Sequence, residues 1–159
     1  MEEIKIEIGK ITTLVSERQS GMSTLLCKYA TDFLENNDGN ILILSWTRDC
    51  AKATRNILLT MYNDKERVVY GSARRIPDIL CATNYGMIIY DCPDIRDKKN
   101  LDYIEHLKQY DSKIIIGITT ENALFTLKTN KNFKEMINLS DYAYYLTERE
   151  IKDFNNIFN

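Results

Sequence analysis

Short apolar runs alternate along this chain with stretches whose apolar residues recur every three or four positions, and few folds accommodate that order. Ile41-Leu42-Ile43-Leu44 is an uninterrupted apolar run, the mark of a strand covered on both faces. Ile11 to Val15, Met87 to Tyr90, Ile114 to Ile118 and Tyr142 to Leu146 also read as strands, with Val68-Val69-Tyr70 a short one. Between them lie helical stripes. Ser23 to Asn36 carries Leu25, Leu26, Tyr29, Ala30, Phe33 and Leu34, and the turn residues Asn37-Asp38-Gly39-Asn40 stop it. A second helix, capped by Asp49, carries Ala53, Ile57, Leu58 and Met61, and a third carries Leu101, Ile104 and Leu107. A short helix over Arg75 to Ala82 and a C-terminal helix with Ile151, Phe154 and Phe158 complete the reading. Strands alternating with helices predict βαβ units, hence an α/β fold whose mostly parallel sheet is flanked by helices. The 159 residues fit one domain.

Composition excludes several classes. Lys and Arg number 21 against 23 Asp and Glu, a net charge of −2, so bulk positive charge does not hold this chain to nucleic acid. A local basic patch remains open: Arg48, Lys52 and Arg55 fall along one helix face, and Arg74-Arg75 adds a basic pair. The same residues are equally a solvated helix face. No apolar run approaches the roughly 18 residues of a membrane span, and the acidic N-terminus does not resemble a secretory signal. Cys27, Cys50, Cys81 and Cys92 show no CxxC spacing, and the single histidine, His106, has no Cys or His near it. Zinc and disulfides are therefore not expected, and the cysteines read as reduced, mostly buried small hydrophobes of a cytoplasmic protein. His106 lies off its helix's apolar stripe and reads as a solvated surface residue. The abundance of Ile, Asn, Lys and Tyr suggests an AT-rich genome of viral or phage type.

In a parallel sheet, ligands bind at the carboxyl ends of strands. After Val15 comes Ser16-Glu17-Arg18-Gln19-Ser20-Gly21-Met22-Ser23-Thr24. Against the phosphate-binding pattern GxxxxGK[ST], Ser16 takes the first Gly position, Gly21 the second, Met22 the Lys and Ser23 the hydroxyl. The strand before and the helix after are right, but Met22 supplies neither charge nor donor to a phosphate. Ser23 retains a hydroxyl for Mg²⁺ and Arg18 is a substitute cation; alternatively Ser23 or Thr24 simply caps the helix.

Ile88-Ile89-Tyr90-Asp91 has the form of a strand delivering a carboxylate to Mg²⁺ beside Ser23. Asp94 follows, either near the same rim or as turn chemistry after Pro93. After Leu44 the chain reads Ser45-Trp46-Thr47-Arg48-Asp49, with no Glu to act as a base. Trp46, the only tryptophan, either packs over the sheet rim or stacks on a base. Thr119-Thr120 either hydrogen-bonds a γ-phosphate or starts the next helix with Glu121.

In this order the elements resemble the RecA-like ATPase core, and within it the DnaB-type replicative helicase domain, from Gly9 to about Glu150. Gly9 to Val15 is similar to the strand entering the family's phosphate loop, Asn40 to Ser45 to the second strand, and Gly86 to Asp91 to the Walker B strand. Ile114 to Thr119 looks like the γ-phosphate-sensing strand, and Asp141 to Arg149 like the fifth strand and its charged segment. Thr47 stands about where the family's catalytic Glu would be, and Arg149 is the candidate for the arginine that reaches a neighbouring subunit's ATP.

The resemblance implies a single RecA-like P-loop NTPase domain over residues 1–159 whose Walker A loop has lost its Lys and first Gly. It implies a pseudoenzyme: a viral or phage accessory of DNA replication, recombination or packaging. Such a chain would lie in the cytoplasm, the host's if viral. Its expected partners are a related ATPase subunit, a second copy of itself or DNA, with no membrane and no cofactor. The alternative is a divergent ATPase that binds ATP and Mg²⁺ through Gly21, Ser23, Thr24, Asp91 and Arg18, the metal held by Ser23 and Asp91.

Overall fold

A computed structural model describes residues 6–17, 21–75, 85–148 and 150–154, with the side chain of residue 75 excepted. Among them the strands are β1 (Ile11–Ser16), β2 (Ile41–Ser45), β3 (Val68–Ser72), β4 (Met87–Asp91), β5 (Lys113–Thr119), β6 (Tyr142–Leu146) and β7 (Ile151–Asp153). The helices are α1 (Met22–Asn36), α2 (Arg48–Met61), α3 (Lys99–Leu107), α4 (Ala123–Thr129) and α5 (Lys131–Leu139), with a single 3₁₀ turn at Ala73–Arg75.

One seven-stranded sheet runs in the order β3-β2-β4-β5-β1-β6-β7. The pairs from β3 to β6 are all parallel, and only β7 runs antiparallel, against β6. Both faces are covered, which is why the strands read as unbroken apolar runs. Successive residues alternate between two cores. Leu14, Ile41, Ile43, Ile89 and Ile115 face α1 and α2. Val15, Leu42, Leu44, Ile88, Tyr90, Ile114 and Ile116 join the core made with α3, α4 and α5.

The expected strands and the first three long helices form. Several local expectations are corrected. Ile151 lies in β7 rather than a helix, because Ile151 to Asp153 pairs back on Leu146, Tyr145 and Tyr144. Fully buried Phe154 follows it, edge-on to Phe133, while 155–159 lie outside the described residues. The cap of α2 is Thr47, whose Oγ1 accepts the Cys50 N–H at 3.2 Å, and Asp49 sits in the first turn instead. That helix buries Ala51, Thr54 and Leu58, not Ala53, which is exposed. Asn122, not Thr119 or Thr120, caps α4 through a bond from Phe125 N–H at 3.1 Å. His106 is half-buried with its ring edge-on to Tyr110, 5.8 Å between centroids, rather than solvated. Its Nε2 is buried and has no hydrogen-bond partner among the described residues. Only Cys27 of the described cysteines is buried; Cys50 and Cys92 are exposed, and Cys81 lies outside the described residues. The short helix expected over Arg75 to Ala82 falls almost wholly in 76–84, also outside them.

Candidate functional site

Topology brings three strand ends to one rim. β5 lies between β1 and β4, so Ser16 pairs in register with Thr119 and Asp91 with Gly117. The chain leaves β1 through Glu17, and residues 18–20, including the candidate Arg18, lie outside the described residues. It re-enters at Gly21, left-handed at φ 75°, ψ 29°, a conformation only glycine adopts without strain. Gly21 takes the N-cap position of α1, and its carbonyl accepts the Leu25 N–H at 3.0 Å.

Among the described residues no side chain caps α1. The expectation that Ser23 or Thr24 does so is corrected: Thr24 is exposed, and the Ser23 hydroxyl donates to Asp91 Oδ2 at 2.6 Å. The same carboxylate oxygen accepts the Thr54 hydroxyl from α2 at 2.7 Å. Asp91 is 6% exposed, so α1 and α2 both converge on one buried carboxylate at the end of β4. Ser23 and Asp91, proposed to meet on sequence grounds, do meet. Thr54 was missed; a lone hydroxyl on the buried face of α2, between Ala51 and Leu58, is the signal that would have found it.

Met22 packs onto the sheet. It is 4% exposed and lies on Gly117 of β5, where a Cβ would come within 2.9 Å of Met22 Cγ and 2.6 Å of Leu26 Cδ1. A glycine at 117 is thus what allows the first turn of α1 to rest on the sheet. Met22 belongs to the α1–α2 core with Leu14, Leu26 and Ile115.

Cys27 stands one turn further along α1, with its thiol 3.5 Å from the Thr54 carbonyl. Burial, and secondarily the Asp91 charge, push the thiol up to about 12. It is therefore neutral at ordinary pH. Alkylation of the native protein with iodoacetamide at about pH 8 should label Cys50 and Cys92 and leave Cys27 unlabelled until the chain is unfolded. Peptide mapping before and after denaturant checks this.

The remaining candidates scatter. Asp94 is held below the usual carboxylate range by a two-pronged bond from the Arg96 guanidinium, at 3.0 and 3.2 Å. Thr120 hydrogen-bonds Thr126 at 3.2 Å between hydroxyl oxygens, and its N–H donates to the Ser16 carbonyl at 2.9 Å. Arg149 lies outside the described residues. Lys52 is exposed. Arg55 donates to the carbonyls of Val68 at 2.8 Å and Lys65 at 3.1 Å, tying α2 to the start of β3. Arg48 reaches the Tyr70 hydroxyl at 3.2 Å.

For a triphosphate with Mg²⁺, the metal-binding half of the fit is present in Ser23 and Asp91. The phosphate-binding half fails at Met22, buried where a cation is needed.

No protein-family model matches the chain, and no curated protein matches its sequence. Solved structures do match in shape. The UvsW helicase from bacteriophage T4 superposes with a TM-score of 0.66 at 14% identity, over 86% of this chain. This chain spans about half, 55%, of that one. The flagellar accessory protein FlaH from Methanocaldococcus jannaschii superposes with a TM-score of 0.57 at 13% identity, over 93% of this chain and 77% of that one. Among the described residues no helix is long and apolar enough to cross a membrane. The seven-stranded, mostly parallel sheet with its flanking helices is an α/β fold of the RecA-like type, the fold it shares with these two structures.

Proposed function

We propose that this chain is a non-catalytic RecA- and DnaB-like domain, a pseudoenzyme whose phosphate loop has become a structural corner. The observation that carries this reading is the burial of Met22 on Gly117. A side chain at the lysine position that is spent on the core cannot offer charge to a phosphate. Two facts support it further. Thr47, about where the catalytic Glu would stand, caps α2, and both hydroxyls near Asp91 are turned onto its carboxylate. Such a domain acts through contacts with protein or nucleic acid: a related ATPase subunit, a second copy of itself, or DNA. A phage or viral accessory role in replication, recombination or packaging, in the cytoplasm of the host, suits the composition and the likeness to a phage helicase.

Calorimetric titration with ATP and Mg²⁺ tests it. The expected result is no saturable binding tighter than about 1 mM. Micromolar, magnesium-dependent binding would overturn it.

One observation favours a second reading, a divergent ATPase. The 2.6 Å bond between Ser23 and Asp91 joins the two side chains that would share Mg²⁺. In that case Arg18, or Arg149 of a neighbouring copy, replaces the lysine, and Thr120 or Asp94 orients water. Hydrolysis abolished by Asp91→Ala would support it, and turnover no faster than a blank at high protein concentration would end it.

A further inference from the structure

Strand order lays out the carboxyl rim as a row of unlike surfaces. From the sheet edge inward, β3 is followed by β2, β4 and β5, and their ends lead in turn to Arg74, Trp46, Asp94 and Glu121. The Arg74 guanidinium lies 4.4 Å from the centre of the Trp46 indole. Ser72 fastens these two turns together: its hydroxyl donates to the Trp46 carbonyl at 3.1 Å and accepts the Arg74 N–H at 3.2 Å. Arg48, two residues past Trp46, reaches the Tyr70 hydroxyl at 3.2 Å and lies 5.0 Å from the centre of that ring. Among the described residues neither Arg48 nor Arg74 forms an ion pair with a carboxylate. A guanidinium stacked on a ring has its donor fork oriented in advance and its charge unspent.

Beyond Trp46 the rim turns apolar. A cavity of about 640 Å³ opens there, lined by Trp46, Pro93, Ile95 and Phe125 among others. Phe125 is 62% exposed, and Leu124 beside it on α4 is exposed too. Two large apolar side chains left in water next to an open cavity form the kind of patch that marks an interaction site. The far wall has no unspent cation among the described residues. Arg96, the one cation of that lining, is held by Asp94 at 3.0 and 3.2 Å, and Glu121 adds a second carboxylate.

This gradation from cationic through apolar to acidic selects the occupant. A phosphodiester chain is charged at every link, so it would pass the arginines only to meet carboxylates on the far side. A polypeptide can set carboxylates on one side of an apolar residue and none on the other. Arginines and aromatic rings gathered round a pocket are also what protein interfaces concentrate at their energetic centre.

We propose that this groove docks an acidic segment of a partner protein. One aromatic or long aliphatic side chain of that segment enters the cavity against Trp46 and Phe125, and carboxylates to one side of it meet Arg74 and Arg48. Such docking rests on the reading of the chain as a domain that acts through contacts, and it gives the partner a chemistry. The groove shares no residue with the corner of Met22, Ser23 and Asp91. An ATP titration therefore decides the one reading and a peptide titration the other.

A displayed library of random peptides of about twelve residues, free of tryptophan, is selected on the full chain and counter-selected on Phe125→Ala, an exposed change that leaves the cores intact. The expected consensus is one aromatic or long aliphatic residue with Asp or Glu to one side of it. A basic consensus, or no enrichment over the Phe125→Ala chain, overturns the proposal. The selected peptide is then made synthetically and titrated at about 50 mM salt, with emission of Trp46, the only tryptophan, as the readout. Saturable binding at about 100 μM or tighter is expected, weakened about ten-fold or more by Phe125→Ala. Arg74→Ala should weaken it about three-fold or more and flatten its fall with salt. Bound peptide should also slow iodoacetamide labelling of Cys92, which lines the cavity, and unchanged labelling counts against the docking. Oligothymidylate of about 20 nucleotides that displaces the peptide would put nucleic acid in the groove and overturn it as well.

Discussion

Replacing Asp91 with alanine lowers the unfolding free energy by about 2–3 kcal/mol, enough to drop the melting temperature of a chain this size by roughly 5–10 °C. The carboxylate is 6% exposed and one of its oxygens receives two hydroxyls, from Ser23 at 2.6 Å and Thr54 at 2.7 Å. Bonds to an ionised acceptor are stronger than neutral ones, and their loss strands the donors. Thr54 keeps a fallback in the Cys50 carbonyl at 3.2 Å, which holds the loss below that of two fully orphaned groups. Ser23 has no such alternative among the described bonds. Asp91→Asn keeps an acceptor oxygen for one hydroxyl and should lose about half as much. The sign of the change separates the two functional readings. A carboxylate kept for a metal ion is commonly a burden on the empty protein, so its removal is neutral or stabilising. A carboxylate kept to join α1 and α2 to β4 is missed at once. Thermal unfolding of Asp91→Ala without nucleotide, beside the parent, reads that sign, and a rise in melting temperature would count against the scaffold reading.

The order of elements was legible because fully covered parallel strands must be apolar on both faces, as Ile41 to Leu44 and Ile114 to Ile118 are. The meeting of Ser23 and Asp91 was legible for a topological reason: each follows or ends a strand, and parallel strands end on one rim. What escaped the sequence was decided by local competition. Asp49 and Thr47 are both good caps, and only the path of the chain out of Ser45 selects Thr47. Ile151 and Phe154 suit a helical stripe, but a carbonyl of Glu150 that accepts the Thr147 N–H at 2.9 Å closes a tight turn and sends the chain back along β6. Ala53 and Ala51 are equivalent in composition, so the buried face of α2 was placed by its larger neighbours, and Thr54 went unseen. Met22 carries no charge, as its identity alone says, but its packing role, as a knob on Gly117, depends on a contact nearly a hundred residues away.

That contact makes Met22→Lys the sharpest test of what the loop has become. Lysine at this position would restore the letter of the phosphate-binding pattern, and on sequence grounds alone it should repair the site. The packing argues the reverse. Met22 is 4% exposed and rests on Gly117 beside Leu26, so an ammonium left there is buried, and the carboxylate on the adjoining strand, Asp91, is already engaged by Ser23 and Thr54. If the stem instead bends outward past exposed Gly21, the charge regains water but the space over Gly117 empties. Either route costs, and about 2–4 kcal/mol is expected from urea unfolding, with no gain of ATP binding. Met22→Leu serves as the control. It keeps the volume and the apolar contact and should lose less than about 1.5 kcal/mol. A Met22→Lys protein that unfolds at the parent's urea concentration and acquires saturable, magnesium-dependent ATP binding would mean that the start of α1 at Gly21 still admits a triphosphate. The proposed loss of nucleotide chemistry would then reside in one side chain rather than in a corner rebuilt around the core.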